Sequence, residues 1–456
     1  MTDIHDLTVT ELAAAIGRKE LSPVQITAHY LDRTDRLNAD VGAFFTVTAE
    51  LATSQAAEAE KAVTQARDPA ELPPLTGIPI PIKDLNMVAG VRQTLGSAVY
   101  ADNVPATDDH VTAALRAAGA VLTGKTATPE FGLPCYTETA VGPPARTPWD
   151  LSRSAGGSSG GAAAAVAAGL APAAQGSDGG GSIRIPSSVC GLFGLKPSRG
   201  RISGGPLVPD LAGLVSEGPL ARSVADAALL LDVLAGRPAG EPPVPDADGL
   251  RLGLATELLA LADESIAARI RGTAEALAAA GAAVEERSVP DPSRATAIHR
   301  LVQAAEAATV HAPWFEEQRD RYAPDVRARL EAGRQLSAEV YLRAQRHRRL
   351  FTRDFAAAME GLDAILAPSS PVTAPPLEAT AVTINGSTQP LRPALLSCVL
   401  PISQLDCPAV SVPIGMLEGL PVGMQLIGRP GSESLLLGLA AAVEEIAEPV
   451  PVPLLG

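Results

Sequence analysis

From Ser154 to Ser203 the chain reads SAGGSSGGAAAAVAAGLAPAAQGSDGGGSIRIPSSVCGLFGLKPSRGRIS, and few of these side chains are large enough to build a core by themselves. A segment of that composition positions backbone against something else. A flexible linker is a poor description of it, because the closing run IRIPSSVCGLFGLKP carries the apolar residues of a buried element. Ser158 and Ser182 each stand inside a glycine cluster. Gly179, Gly180 and Gly181 precede Ser182 and let consecutive N–H groups turn toward one point, which is how an oxyanion hole is built from main chain alone. The Gly, Ser and Ala bias extends from Trp149 to Gly205.

The remainder of the chain supplies a core around this segment. Its 456 residues are 46% hydrophobic and 19% charged, enough for one large domain or two ordinary ones and too apolar for disorder. A formal charge of −15, with no run of basic residues to follow a phosphate backbone, makes nucleic acid an unsuitable partner. Cys135, Cys190, Cys398 and Cys407 form no C-x-x-C pair, so structural zinc is not expected and a reducing compartment fits. MTDIHDLTVTELAAAIG lacks the basic and apolar regions of a secretory signal, and the stretch from Gly160 to Gly176 is too small-sided to span a bilayer. A soluble, cytoplasmic protein with no membrane partner is expected.

Periodicity gives a layered α/β domain. Ser22-Pro23-Val24-Gln25 is a capping box opening an N-terminal helix, and two such helices are expected within residues 1–70. IPIPIKDL reads as a short buried strand, Asp109 caps a helix, and AVLTGKT, LRLGLA and AAVEERSV read as further strands. Residues 71–250 form the Gly/Ser-containing core, and residues 293–360 a helical insertion over one face in which Ser337 is an N-cap. Residues 361–456 give the strands DAILAPSSP, PAVSVPIG and PVGMQLIG and a closing helix from Ser432 to Ile446.

A serine nucleophile needs a base, and histidine is the usual one. The six histidines fall in segments read as helices or as the N-terminus, away from any triad position. Gly156-Gly157-Ser158-Ser159-Gly160 matches the G-x-S-x-G elbow in letters, but TPWDLSRSA precedes it where a hydrophobic strand is required. The S-x-x-K pattern is absent at all five lysines. Lys83 is the better base: it ends an apolar run, and burial lowers a lysine pKa toward what proton abstraction needs. A salt bridge to Asp84 or another carboxylate is the competing role for it.

IPIPIKDL, GKTATPEFG, TPWDLSRSAGGSSGG, QGSDGGGSIRIPSSVCGLFGLKPSRGRIS, PAVSVPIG and LPVGMQLIG together resemble the amidase signature enzymes over nearly the whole chain. The resemblance implies one α/β amidase domain, residues 1–456, with a central twisted mixed sheet flanked by helices on both faces. It also implies a Ser/cis-Ser/Lys triad: Ser182 as nucleophile, Ser158 after a cis peptide bond as the bridging residue, and Lys83 as base. Gly179, Gly180, Gly181 and Ser182 would form the oxyanion hole, and Ser159 would assist the relay or simply form a turn. Asp178 and Arg184 would hold the loop, although an ordinary structural ion pair is the favoured reading of those two. The chain departs from the family pattern at Gly179 and Ala155, where threonine and proline are common.

The implied reaction is hydrolysis of a small aliphatic or aryl amide through an acyl-serine, releasing a carboxylate and ammonia or an amine, with no cofactor and no metal. The pocket is expected around Cys135 and Tyr136, residues 391–404 and the insertion holding Trp314. Alternatives are an acyltransferase or esterase using the same acyl-enzyme, and a glutamine amidotransferase A-like subunit. The last needs an acid to hold glutamine's ammonium, and LRPALLSCVLPISQ has none; Arg392 is its one charge, with a solvated loop position as its competing reading. A non-catalytic binding protein would have lost one of Lys83, Ser158 and Ser182. A small-molecule amide is the expected partner, and a homodimer is left open.

Overall fold

A computed structural model describes residues 3–203, 213–451, 453 and 455. Gly204 and Gly205, the end of the Gly/Ser-rich stretch, lie outside the described residues. The strands in chain order are β1 (Phe44–Val47), β2 (Ile82–Lys83), β3 (Gly124–Thr126), β4 (Ala173–Asp178), β5 (Phe193–Lys196), β6 (Ser216–Ala221), β7 (Arg251–Ala255) and β8 (Ala283–Arg287). There follow β9 (Ala364–Pro368), β10 (Ala381–Ile384), β11 (Ser387–Pro390), β12 (Ala409–Leu417) and β13 (Leu420–Ile427). Eight of them form one sheet in the order β4-β6-β5-β12-β13-β9-β7-β8. It is mixed: β7 runs parallel to β8 and β9, while the remaining pairs are antiparallel. Helices cover it, so β4, β9 and β13 are buried along their whole length.

Local chemistry explains the connections. Leu417 pairs with Leu420 across Glu418 and Gly419, both at positive φ, the two-residue turn whose twist matches antiparallel strands. Ser22 caps the Pro23–Val41 helix through a full capping box, Asp109 accepts from the Thr112 N–H, and Ser337 accepts from the Val340 N–H. The closing helix runs Glu433–Ile446. Among the described residues no helix is long and apolar enough to cross a membrane.

Three expectations change. IPIPIKDL contributes only Ile82–Lys83 as strand, because Pro79 and Pro81 have no N–H to give a ladder. That strand joins β1 and β3 in a separate three-stranded sheet. The N-terminal segment holds three α-helices, Val9–Gly17, Pro23–Val41 and Ala49–Gln65, and β1 between the last two. Finally, β6 had no reading as a strand, yet it pairs with β4 and β5 near the centre of the Gly/Ser-rich region.

The Gly/Ser-rich segment acts by being thin. Every residue of the Gly160–Ala167 helix is buried, with nothing larger than valine on any face. This lets it press between the small sheet and the large one. At Gly161 a methyl group would lie 2.3 Å from the Ala127 nitrogen and 2.5 Å from the Ala43 carbonyl oxygen, both backbone. Gly161→Ala is therefore expected to destabilise the fold by about 1–3 kcal/mol, the usual cost of overpacking. An unchanged denaturant midpoint would show that this helix is not clamped as described.

Candidate active site

Three backbone segments converge at the C-terminal end of β4. Lys83 closes β2; Ser158 and Ser159 sit just before the Gly160–Ala167 helix; Ser182 lies between β4 and the Arg184–Cys190 helix. β2 is fixed to β4 by two bonds, Lys83 N–H to Gln175 Oε1 at 3.0 Å and Gln175 N–H to the Pro81 carbonyl at 3.3 Å. The Ser159 N–H donates to the Ser182 carbonyl at 3.1 Å, which couples the two serine loops. The Gly157–Ser158 peptide bond is cis.

The Lys83 side chain is fully buried. Its Nζ lies 2.8 Å from Ser158 Oγ, 2.8 Å from Ser159 Oγ and 3.0 Å from Ser177 Oγ. Among the described residues no carboxylate comes within ion-pair distance of it. Asp84, its neighbour in sequence, is committed instead to Lys125 Nζ at 2.9 Å and to the backbone and hydroxyl of Thr94. That removes the Lys83–Asp84 salt bridge as the lysine's role.

Burial drives the Lys83 pKa down to about 7, against the pull of the Glu217 and Asp178 carboxylates, which favour the ammonium. A neutral amine has two hydrogens and one lone pair. Ser159 Oγ is placed to give its own hydrogen to the Ser177 carbonyl at 3.2 Å, so it accepts from Lys83, which leaves the Ser158 and Ser177 hydroxyls as the two able to donate to the lone pair. Ser158 Oγ and Ser182 Oγ are not joined by a hydrogen bond, although both residues line the same cavity. Such contacts commonly tighten only when substrate binds.

The loop before Ser182 is organised by a buried pair. Arg184 Nε meets Asp178 Oδ2 at 2.9 Å, and both side chains are completely buried. Burial alone would raise the Asp178 pKa, but the Arg184 guanidinium brings it down to about 2. Asp178 Oδ1 also accepts the Gly181 N–H at 2.7 Å, and Oδ2 accepts that of Ile183 at 3.3 Å. The pair thus fixes the loop as well as neutralising itself. It also corrects the oxyanion expectation at Gly181, whose N–H is committed to Asp178. Gly179, Gly180 and Ser182 line the cavity. A methyl group at 179 would lie 3.1 Å from Val215 Cγ2, a close contact.

The cavity has a volume of about 630 Å³. Cys135 and Trp314 line it. Tyr136 does not: its side chain packs with Leu391, Leu395 and Val399, and its backbone abuts Gly157. Of the stretch 391–404, Arg392 and Leu396 reach the cavity, and Arg392 is half-buried there, donating to the Leu133 carbonyl at 3.1 Å, so it is no solvated loop residue.

Glu217 and His299 are among the lining residues that escaped the sequence reading. Glu217, on β6, accepts from Gln175 Nε2 at 2.5 Å, and burial pushes its carboxyl up to about 7 while Lys83 opposes this. His299 lies beside Gly180, and Gln404 Nε2 donates to its Nδ1 at 3.1 Å, which assigns the hydrogen to Nε2. Burial lowers its pKa to about 4, so it is neutral. Neither residue belongs to a local motif; only the fold brings them to the site.

The amidase family profile matches residues 25–437. The chain belongs to the amidase signature family. A glutamyl-tRNA(Gln) amidotransferase subunit of Moorella thermoacetica is 38% identical over 485 aligned residues, covering 98% of each chain. A crystal structure of an amidase superposes with a TM-score of 0.90 at 30% identity, covering 97% of this chain and all of that one. The crystal structure of a glutamyl-tRNA(Gln) amidotransferase subunit from Thermotoga maritima gives 0.76 at 30% identity, covering 99% and 98%. This amidase-signature hydrolase is therefore close in sequence to amidotransferase subunits and close in shape to an amidase.

The Lys83 environment is directly measurable because the chain has only five lysines. In protein labelled with ε-13C-lysine, the resonance missing from Lys83→Ala is expected to titrate near 7, far below the ordinary 10.5. Glu217→Gln should move it lower still, since a carboxylate favouring the ammonium is gone. A midpoint near 10.5 would contradict the description of a buried, unpaired amine.

Proposed function

We propose that the chain is a cofactor-free serine amidohydrolase acting on a small-molecule amide. Ser182 Oγ attacks the carbonyl carbon while its proton passes to Ser158 Oγ, and the Ser158 proton passes to neutral Lys83 Nζ. The developing oxyanion takes hydrogen bonds from the N–H groups of Gly179, Gly180 and Ser182, which have no other acceptor among the described residues. As the C–N bond breaks, Ser158 returns a proton to the leaving nitrogen and is itself reprotonated by Lys83. Water then repeats the sequence on the acyl-Ser182 ester and releases the carboxylate. The observation that carries this reading is the Lys83 amine at 2.8 Å from Ser158 Oγ, with no carboxylate among the described residues within ion-pair distance.

Ser182→Ala is expected to lower kcat by at least about 10³-fold. Intact-protein mass spectrometry with a panel of amides and esters should show an acyl adduct on the wild type and none on the variant. A purified, folded variant that turns over at the wild-type rate would overturn the nucleophile. Because the base acts as the free amine, kcat/KM should fall about tenfold per pH unit below 7. A flat profile from pH 5 to 9 would remove Lys83 from the role.

A second reading, glutamine hydrolysis as an amidotransferase A-like subunit, is favoured by the 38% identity to the Moorella thermoacetica protein over nearly both whole chains. The absence of an acid in residues 391–404 is weaker ground against it than the sequence suggested, because Glu217 and Glu306 bring carboxylates to the cavity from other elements. Activity confined to glutamine would support this second reading. Turnover of simple amides by the isolated chain, with glutamine left intact, supports the first, and an acyl group carried to an added amine would mark acyl transfer.

A further inference from the structure

Aromatic residues make up only 3% of the chain, yet the wall of the cavity at the C-terminal end of the Pro292–His311 helix gathers Tyr100, Phe131 and Trp314 with His311. Their rings form a closed cycle of edge-to-face contacts: Tyr100 to Phe131 at 6.0 Å, Phe131 to His311 at 4.3 Å, His311 to Trp314 at 5.9 Å and Trp314 to Tyr100 at 6.5 Å. Phe315 and Tyr322 back this cycle from the protein side, and the Tyr322 hydroxyl meets His311 Nδ1 at 3.0 Å.

The cycle is assembled from distant segments, and one carboxylate ties two of them to the Tyr322 segment behind it. Glu130 accepts from Ser97 Oγ at 2.6 Å and from the Ala323 N–H at 2.9 Å, joining the loops that carry Tyr100, Phe131 and Tyr322. Phe131 itself is held at φ +52, a conformation that bulky side chains rarely adopt, by its N–H bond to the Leu95 carbonyl at 2.7 Å. A purely structural aromatic cluster has no need of such a residue. The strain aims the Phe131 ring into the cavity one residue from Gly132, where a methyl group would lie 3.3 Å from Ser158 Oγ. The rings therefore begin beside the reactive hydroxyls.

We propose that this four-ring cycle is the subsite for a planar aromatic group of the substrate, so that the preferred amide carries an aryl ring on its acyl or its amine side. The proposal rests on the hydrolase reading for its reaction but not for its binding. A flat ring resting on this wall gains aromatic contacts that a saturated ring of equal size does not.

The test uses Trp314 as reporter. Trp149, the other tryptophan, donates to the Cys190 carbonyl outside the cavity and is replaced in Trp149→Phe. Ser182→Ala is added to prevent turnover, and Trp314 fluorescence is followed on titration with phenylalkyl amides and anilides against cyclohexyl counterparts. The expected result is saturable binding with the phenyl compounds held roughly 3- to 10-fold tighter, and that preference lost in Tyr100→Leu.

Equal affinity for phenyl and cyclohexyl compounds, no saturable binding of any phenyl compound, or stronger binding of a tetraalkylammonium ion would overturn the proposal. Aryl binding without hydrolysis of any amide by the wild type would sink the hydrolase reading and leave the subsite standing. Hydrolysis with no aryl preference would do the reverse. In the supporting case, the mass of the wild-type acyl adduct tells the acyl side from the amine side.

Discussion

The site depends on an amine buried without a counter-ion among the described residues. A lysine taken out of water either finds a carboxylate or gives up its proton. Around Lys83 the acidic groups that could have served are already engaged: Asp84 with Lys125, and Asp178 with Arg184. Glu217 is the remaining carboxyl, held by Gln175 and itself pushed toward its protonated form by burial. What is left for Lys83 is three serine hydroxyls. Each of these ion pairs thus has two effects, stabilising its own members and withholding a partner from the lysine.

That arrangement requires backbone to come very close to backbone. The Gly160–Ala167 helix brings Ser158 and Ser159 to Lys83 because it carries almost no side chain on any face, and Gly161 lets it touch Ala43 and Ala127 directly. The same thinness holds the small sheet, which carries Lys83, against β4, which carries Ser177. The Gly/Ser/Ala composition is therefore a packing requirement of a site built between two sheets. The large side chains of the chain are found elsewhere, in the clusters on the faces of the eight-stranded sheet.

Much of this was legible in the amino-acid order because its signals are local. Caps at Ser22, Asp109 and Ser337 depend on residues within one turn, and β7, β12 and β13 on short apolar runs. Lys83 stood out as a charge ending an apolar run. Features set by long-range contact were not legible. β6 reads SEGPLA, with glycine, proline and a glutamate, and becomes a strand only because β4 and β5 flank it. Glu217 and His299 reach the cavity through that fold and not through any motif. Tyr136 has the right neighbour in Cys135, but the chain turns so that its ring faces the Leu391–Val399 cluster. Phe131 and Tyr100 are single aromatic residues in loops, and nothing in their own segments indicates that Glu130 binds the two loops together.

Asp178 shows why a division between structural and functional residues fails here. Read alone, a fully buried Asp–Arg pair is a stability feature, and one that a hydrophobic pair often matches. The Asp178 carboxylate, however, takes the Gly181 N–H, which sits at φ +107 inside the loop proposed to stabilise an oxyanion. One donor is withdrawn from substrate, and in exchange the direction of its neighbours is fixed before any substrate arrives. For charge that develops only during reaction, donors already oriented stabilise more than a larger number that must still turn. A hydrophobic replacement of the pair would keep the packing and lose that orientation. This is a physical reason for a glycine-rich loop to be tethered by an ion pair instead of being filled by a side chain.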